Sequence, residues 1–214
     1  QRVHRVPLGR RRQVEPRRIP QLVIKLPYAL KGHLVLGSGS PRRRELLAVL
    51  GIPYTVRTSD ADESAPEHLS DIETVRYVAR AKAEALIPSM NEGDVLLTAD
   101  TEVWFRGVRF GKPRDLDHAE AMLRSLRGQT HRVITAVCAT DGQRWSQHES
   151  VAEVSFHPVS DEFINHYVRT YAPLDKAGAY GAQEWFGQLA IERIVGTFDN
   201  VKGLPLDTVV RTLE

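Results

Sequence analysis

Residues 33–51 read His33-Leu34-Val35-Leu36-Gly37-Ser38-Gly39-Ser40-Pro41-Arg42-Arg43-Arg44-Glu45-Leu46-Leu47-Ala48-Val49-Leu50-Gly51, and this stretch sets the fold class. Leu34 to Leu36 form a short apolar strand, Gly37 to Ser40 a turn, and the remainder a helix. Ser40 suits the N-cap, Pro41 the first helical position and Gly51 the position after the last turn. Leu46, Leu47 and Leu50 give the helix one apolar side. Arg42, Arg43 and Arg44 crowd its first turn, where the macrodipole favours anions rather than cations. Such a cluster makes sense where a phosphate docks on the free backbone N–H groups and the hydroxyls of Ser38 and Ser40. A solvated basic helix face explains the arginines equally well. The glycines complete neither familiar phosphate loop: the dinucleotide pattern wants glycine where Arg42 stands, and no Walker lysine follows.

Outward from this unit, strands and helices keep alternating. Helices are expected over 70–86, 116–126 and 160–170 and after Pro205. Strands are expected over 95–99, 132–140, 151–156 and 189–194, with a hairpin at Phe105-Arg106-Gly107-Val108. Alternation argues an α/β fold. The 214 residues are 42% hydrophobic, enough to bury the core of one such domain. No apolar run approaches the roughly 20 residues of a membrane-spanning helix. Cys138 has no intrachain partner and sits in an apolar run as a small core residue, which suits a reducing, cytoplasmic setting. Residues 1–32 hold seven arginines and two lysines against Glu15, a charge of +8 that leaves −6 on residues 33–214. We therefore expect a basic, flexible N-terminal extension at 1–32 and a folded domain at 33–214. The domain's charge gives it no nucleic-acid signature. The extension reads as a solvated tail, although such a run can also bind anionic surfaces or mimic a transit peptide.

Four further residues stand out chemically. Asp100 closes the buried run Val95-Leu96-Leu97-Thr98-Ala99, where a carboxylate is costly unless paired or metal-bound. Lys82 falls on the apolar stripe of its helix, and Lys112 sits in the turn Gly111-Lys112-Pro113; snorkelling explains either one alone. Glu63, in Ala61-Asp62-Glu63, adds a carboxylate after a strand. Together they favour a site for phosphate and metal.

Five stretches occur in order: Leu36-Gly-Ser-Gly-Ser-Pro-Arg-Arg-Arg-Glu-Leu-Leu, Ala99-Asp-Thr, Gly111-Lys-Pro, Pro173-Leu-Asp-Lys-Ala-Gly-Ala-Tyr-Gly and Val201-Lys-Gly-Leu-Pro-Leu. By these the chain resembles the Maf family of nucleoside triphosphate pyrophosphatases from about His33 to Glu214. The resemblance implies an elongated mixed sheet flanked by helices, with two lobes around a central cleft, often as a homodimer. It implies phosphate binding by Ser38, Arg42 and Arg43, and acidic metal and catalytic positions at Glu63 and Asp100, with Lys82 and Lys112 beside them. Asp100 matches the proton acceptor, and a divalent cation, Mg²⁺ or Mn²⁺, is the implied cofactor. Arg42, Thr101 and Gln183 match positions that separate members by base, and look like the branch hydrolysing dTTP and UTP to monophosphate and pyrophosphate. Another branch acts on 7-methyl-GTP, and the family has also been linked to arrest of cell division and septum formation. No membrane and no nucleic-acid partner is implied for the domain.

Two departures are visible. Glu102 stands where the family usually has an apolar residue, and by strand alternation it shares a face with Asp100. It is left outside the core site, as an added metal ligand or a bystander at the rim. Glu184, not glycine, follows Gln183. His131, His148, His157 and His166 lack zinc-site spacing and read mostly as surface residues. Trp104, Trp145 and Trp185 can stack on a base but more commonly pack in a core or rim.

Overall fold

The computed structural model describes Leu30 and residues 32–214; apart from Leu30 and Gly32, the expected basic extension lies outside the described residues. Chain order runs β1 (His33–Gly37), α1 (Pro41–Ala48), β2 (Tyr54–Arg57), α2 (Asp71–Leu86), β3 (Asp94–Phe105), β4 (Val108–Phe110), α3 (Leu116–Leu126), β5 (Thr130–Thr140) and β6 (Trp145–Phe156). It continues through α4 (Asp161–Tyr171), α5 (Trp185–Ala190), β7 (Ile191–Val195), α6 (Phe198–Lys202) and α7 (Leu206–Leu213). The fold is mixed α/β: one seven-stranded sheet, ordered β2-β1-β3-β5-β6-β7 with β4 on β3, flanked by helices. β1 lies parallel to β2 and β3, and the other pairings are antiparallel.

Local chemistry explains the helix starts. The Ser40 side chain accepts from the Arg43 N–H with Pro41 at the first position of α1, and Ser70 and Glu73 form a reciprocal capping box on α2. Asp115 and Ser160 cap α3 and α4 by accepting from the His118 and Phe163 N–H groups. Gly51 takes a left-handed φ of 66° after the α1 turn, a conformation that costs glycine little.

β3 decides where the site lies. Its first residues pair with β1 as far as Leu36 opposite Leu97. Its last residues pair with β4 from Val103 opposite Phe110. On that edge residues 98–102 therefore have no strand partner among the described residues, while on the other edge β5 pairs without a break from Leu96 to Trp104. Helix α2 packs on one face of this part of the sheet through Val75, Ala79 and Ala83. Leu46 and Leu47 of α1 and Val209 of α7 cover the other face. A second core gathers Leu123, Ile164, Tyr167 and Phe186 from α3, α4 and α5 beyond the open stretch. These two packed bodies form the lobes, and the cleft opens between them at the unpaired edge.

Several expected boundaries move. β3 and β6 both run longer than expected. In β6 the first half, Trp145 to Ser150, is half-buried and polar and lacks the apolar alternation that marks a strand. The strand expected from Leu189 starts at Ile191, and Leu189 and Ala190 close α5 instead. That helix packs against residues 181–182 so tightly that a Cβ on Gly187 would sit 2.4 Å from the Ala182 carbonyl oxygen. Cys138 is buried in the core as expected, and burial pushes its thiol up to about 11. No helix of the described residues is long and apolar enough to cross a membrane.

The surface reading fails for His131, which is 2% exposed. It packs edge-on to Phe156 and Tyr180, and its Nε2 lies 2.7 Å from the Tyr180 hydroxyl. Burial pushes its pKa from 6.5 down to about 4, so the fold holds a neutral ring. The unfolded chain binds the proton more readily between those values, so this contribution is complete above pH 6.5 and is lost as pH falls toward 4. Its full size is roughly 3 kcal/mol. Denaturant titrations at pH 7 and pH 4.5 should therefore show a larger acid loss for wild type than for His131→Gln, and parallel losses would refute the assignment.

Candidate active site

A cleft of about 410 Å³ opens at the unpaired edge of β3. All nine residues singled out from the sequence line it: Ser38, Arg42, Arg43, Glu63, Lys82, Asp100, Thr101, Lys112 and Gln183. They arrive from the turn after β1, α1, the loop after β2, α2, β3, the turn after β4 and the segment before α5. Because 98–102 lack an outer partner, side chains from both faces of β3 reach the same cavity.

On the α2 face, Lys82 Nζ donates to Asp100 Oδ1 at 2.7 Å and lies 3.2 Å from Glu63 Oε1. Lys112 Nζ donates to Glu63 Oε2 at 3.4 Å, so acids and lysines alternate along one wall. Burial pushes the Glu63 carboxyl up, but Lys82 and Lys112 outweigh it and hold the group below its ordinary value. Asp100 is 4% exposed, and its second oxygen, Oδ2, is buried with no hydrogen-bond partner. An acceptor of that kind, fixed by its twin oxygen and otherwise unmatched, is placed for a proton or a cation.

On the opposite face Arg43 joins three parts of the chain. Its Nε donates to the Gly203 carbonyl at 2.9 Å, Nη2 to Thr101 Oγ1 at 3.2 Å and Nη1 to Ser38 Oγ at 3.4 Å. Gly203, at φ 116°, ends α6 in a left-handed conformation and lines the cleft. Burial lowers the Arg43 pKa, opposed by the charge of Asp100. Arg42 pairs with Asp175 at 3.4 Å. Arg44 is exposed and outside the cleft, its carbonyl accepting from the Tyr54 hydroxyl at 2.9 Å. The arginine triplet therefore divides, two toward the cavity and one away.

Gln183 donates from Nε2 to Glu184 Oε1 at 3.3 Å, and its side-chain oxygen, Oε1, is buried without a partner. Glu184 thus takes one of the two polar functions of the amide. None of the three tryptophans lines the cleft: Trp145 lies under Arg80 and Trp185 stacks on Phe163. Tyr180 is the aromatic residue in the wall.

Sequence reasoning assigned no role to Arg109, Asp175, Lys176 or Lys202, which also line the cavity. The last three lie within stretches quoted above, so their position was signalled without their function. Glu102 is neither at the rim nor idle: it is 5% exposed, and Arg109 Nη2 donates to its Oε1 at 2.5 Å. Burial drives the Glu102 carboxyl above its ordinary value, opposed by Arg109 and reinforced by Asp100. The lining carries seven cationic side chains against four acidic ones, an excess suited to a polyanion. Among the described residues no group of three or more His, Cys, Asp or Glu side chains comes together to hold a metal.

The family model described as Maf-like protein matches residues 33–214. A Bacteroides thetaiotaomicron protein named dTTP/UTP pyrophosphatase is 44% identical over 185 residues, covering 86% of this chain and 96% of its own length. A Parabacteroides distasonis protein of the same name is 45% identical over 186 residues, with the same coverage of each chain. One from Flavobacterium johnsoniae, also so named, is 38% identical over 183 residues, covering 86% of this chain and 94% of its own.

Proposed function

The chain belongs to the Maf family, and on that premise we propose that it hydrolyses dTTP and UTP to the monophosphate and pyrophosphate. The observation that carries the reaction is the Asp100 carboxylate, held through Oδ1 by Lys82 while Oδ2 stays buried and unmatched in a cationic cleft.

In this reading Oδ2 accepts the proton of the water that attacks the α-phosphorus. Lys82 fixes the carboxylate in place, and with Lys112 it offsets charge gathering on the phosphates. Ser38, Arg42 and Arg43 bind the polyphosphate from the α1 side, at the positive end of that helix. Thr101 and Arg42 border the nucleoside, and the Gln183 amide meets the imide edge that uracil and thymine share. Glu63 and Asp100 suit a divalent cation, Mg²⁺ or Mn²⁺, because magnesium sites often use only one or two protein carboxylates, with phosphate oxygens completing the shell. Bound there, that cation supplies further neutralisation of the phosphates.

The test is incubation of the full chain with dTTP, UTP and 7-methyl-GTP in Mg²⁺, followed by separation of the products. Monophosphate and pyrophosphate are expected from the two pyrimidine nucleotides, and EDTA should stop the reaction until Mg²⁺ is restored. Turnover of 7-methyl-GTP alone would move the chain to another branch, and no turnover of any triphosphate by folded protein would overturn the proposal.

A further inference from the structure

The Glu102–Arg109 pair has no part in the reaction as described. Arg109 stands opposite Trp104 in the β3–β4 register, which puts it diagonal to Glu102 on one face of the sheet. Both residues line the cleft. The Glu102 side chain is 7% exposed and that of Arg109 33%. Each has a polar atom left over: Glu102 Oε2 and Arg109 Nε are buried without partners. An ion pair kept for stability alone would be expected to saturate its atoms, because unmatched polar groups at a buried pair erode its worth.

We infer that Arg109 is a ligand of the substrate's polyphosphate chain and that Glu102 is its positioning residue. The inference rests on the triphosphate reading above and adds a residue to it. A guanidinium is a planar fork that can hold a carboxylate along one edge and offer its other donors to phosphate oxygens. Glu102 occupies Nη2, which fixes the plane of the fork against the cleft wall. Arg109 lies three residues before Lys112, and both line the cavity at the β4 end of the open stretch, while Arg42 and Arg43 come from α1. A polyphosphate in the cleft then meets cations from both directions.

The test measures binding of inorganic tripolyphosphate to the full chain by calorimetry, with and without Mg²⁺, so that no turnover is required. Arg109→Gln should weaken binding by roughly tenfold. Arg109→Lys should recover part of the loss, because charge returns without the fork. Glu102→Gln should weaken it less than Arg109→Gln, because the cation remains but its anchor is neutral. In the hydrolysis assay Arg109→Gln should raise KM for UTP with little change in kcat. If Arg109→Gln does not fold, the double variant Glu102→Gln/Arg109→Gln removes the unpaired buried charge and makes the same comparison. Tripolyphosphate binding unchanged in Arg109→Gln, or absent from wild type, would overturn the inference. Wild type that binds tripolyphosphate but cleaves no triphosphate would sink the proposed reaction and leave the Arg109 comparison decisive.

Discussion

Asp100→Asn is expected to lower kcat for UTP by about 10²- to 10⁴-fold, the usual worth of a positioned proton acceptor. The substitution keeps the shape of the side chain, and its amide oxygen can still accept from Lys82 at the position of Oδ1, 2.7 Å away. What disappears is the basicity of Oδ2, the oxygen that has no partner. Stability should fall little, since Lys82 retains Glu63 at 3.2 Å as a counter-charge. Pyrophosphate release measured beside thermal denaturation separates the two effects. A variant retaining a tenth or more of wild-type turnover would remove Asp100 from the proton-transfer role.

Lys82→Met should have the largest effect on stability, about 3 kcal/mol, because breaking one side of a buried pair leaves an uncompensated charge behind. Lys82 and Asp100 are 13% and 6% exposed, so water cannot readily replace the lost ammonium at Asp100. Methionine fills the space on α2 without supplying a donor. Glu63, 45% exposed, can rehydrate and contributes less to the loss. The double variant Lys82→Met/Asp100→Asn should recover much of the stability, because it removes the stranded charge with its partner. Urea titrations of both variants check this, and equal stability of Lys82→Met and wild type would show that the pair is not coupled. Lys112→Met, from a side chain 60% exposed, is the contrasting case, with stability near wild type.

The parts of this fold legible in the sequence are those whose chemistry is local. Ser40, Pro41 and Gly51 each act within a few residues of themselves, and they bound α1 much as read. The span of α3 follows from its apolar period between Asp115 and Arg127. The nine candidate site residues were found through oddly placed charges, spaced stretches and resemblance, and geometry alone would not have assembled them from one dimension. What stayed hidden depends on distant neighbours. Nothing near Arg43 announces that its Nε is tied to Gly203, 160 positions away. Arg109, just past the expected hairpin, shows nothing in the sequence to mark it until register sets it diagonal to Glu102. His131 looks like a surface histidine because its strand alternation does not reveal the aromatic rings of Phe156 and Tyr180 that enclose it. The α5 boundary fails because Leu189 to Ile194 suits a strand by composition, while the close fit of Gly187 against residues 181–182 holds the first part helical.

The unbroken pairing of β3 with β5 through the open stretch has a mechanical result. One hydrogen-bonded ladder runs beneath both lobes, so drawing them together bends a continuous paired sheet rather than a free loop. The ladder stiffens the floor of the cavity, and accommodation of ligands of different girth then falls mainly on the segments around Glu63, Lys112 and Gln183.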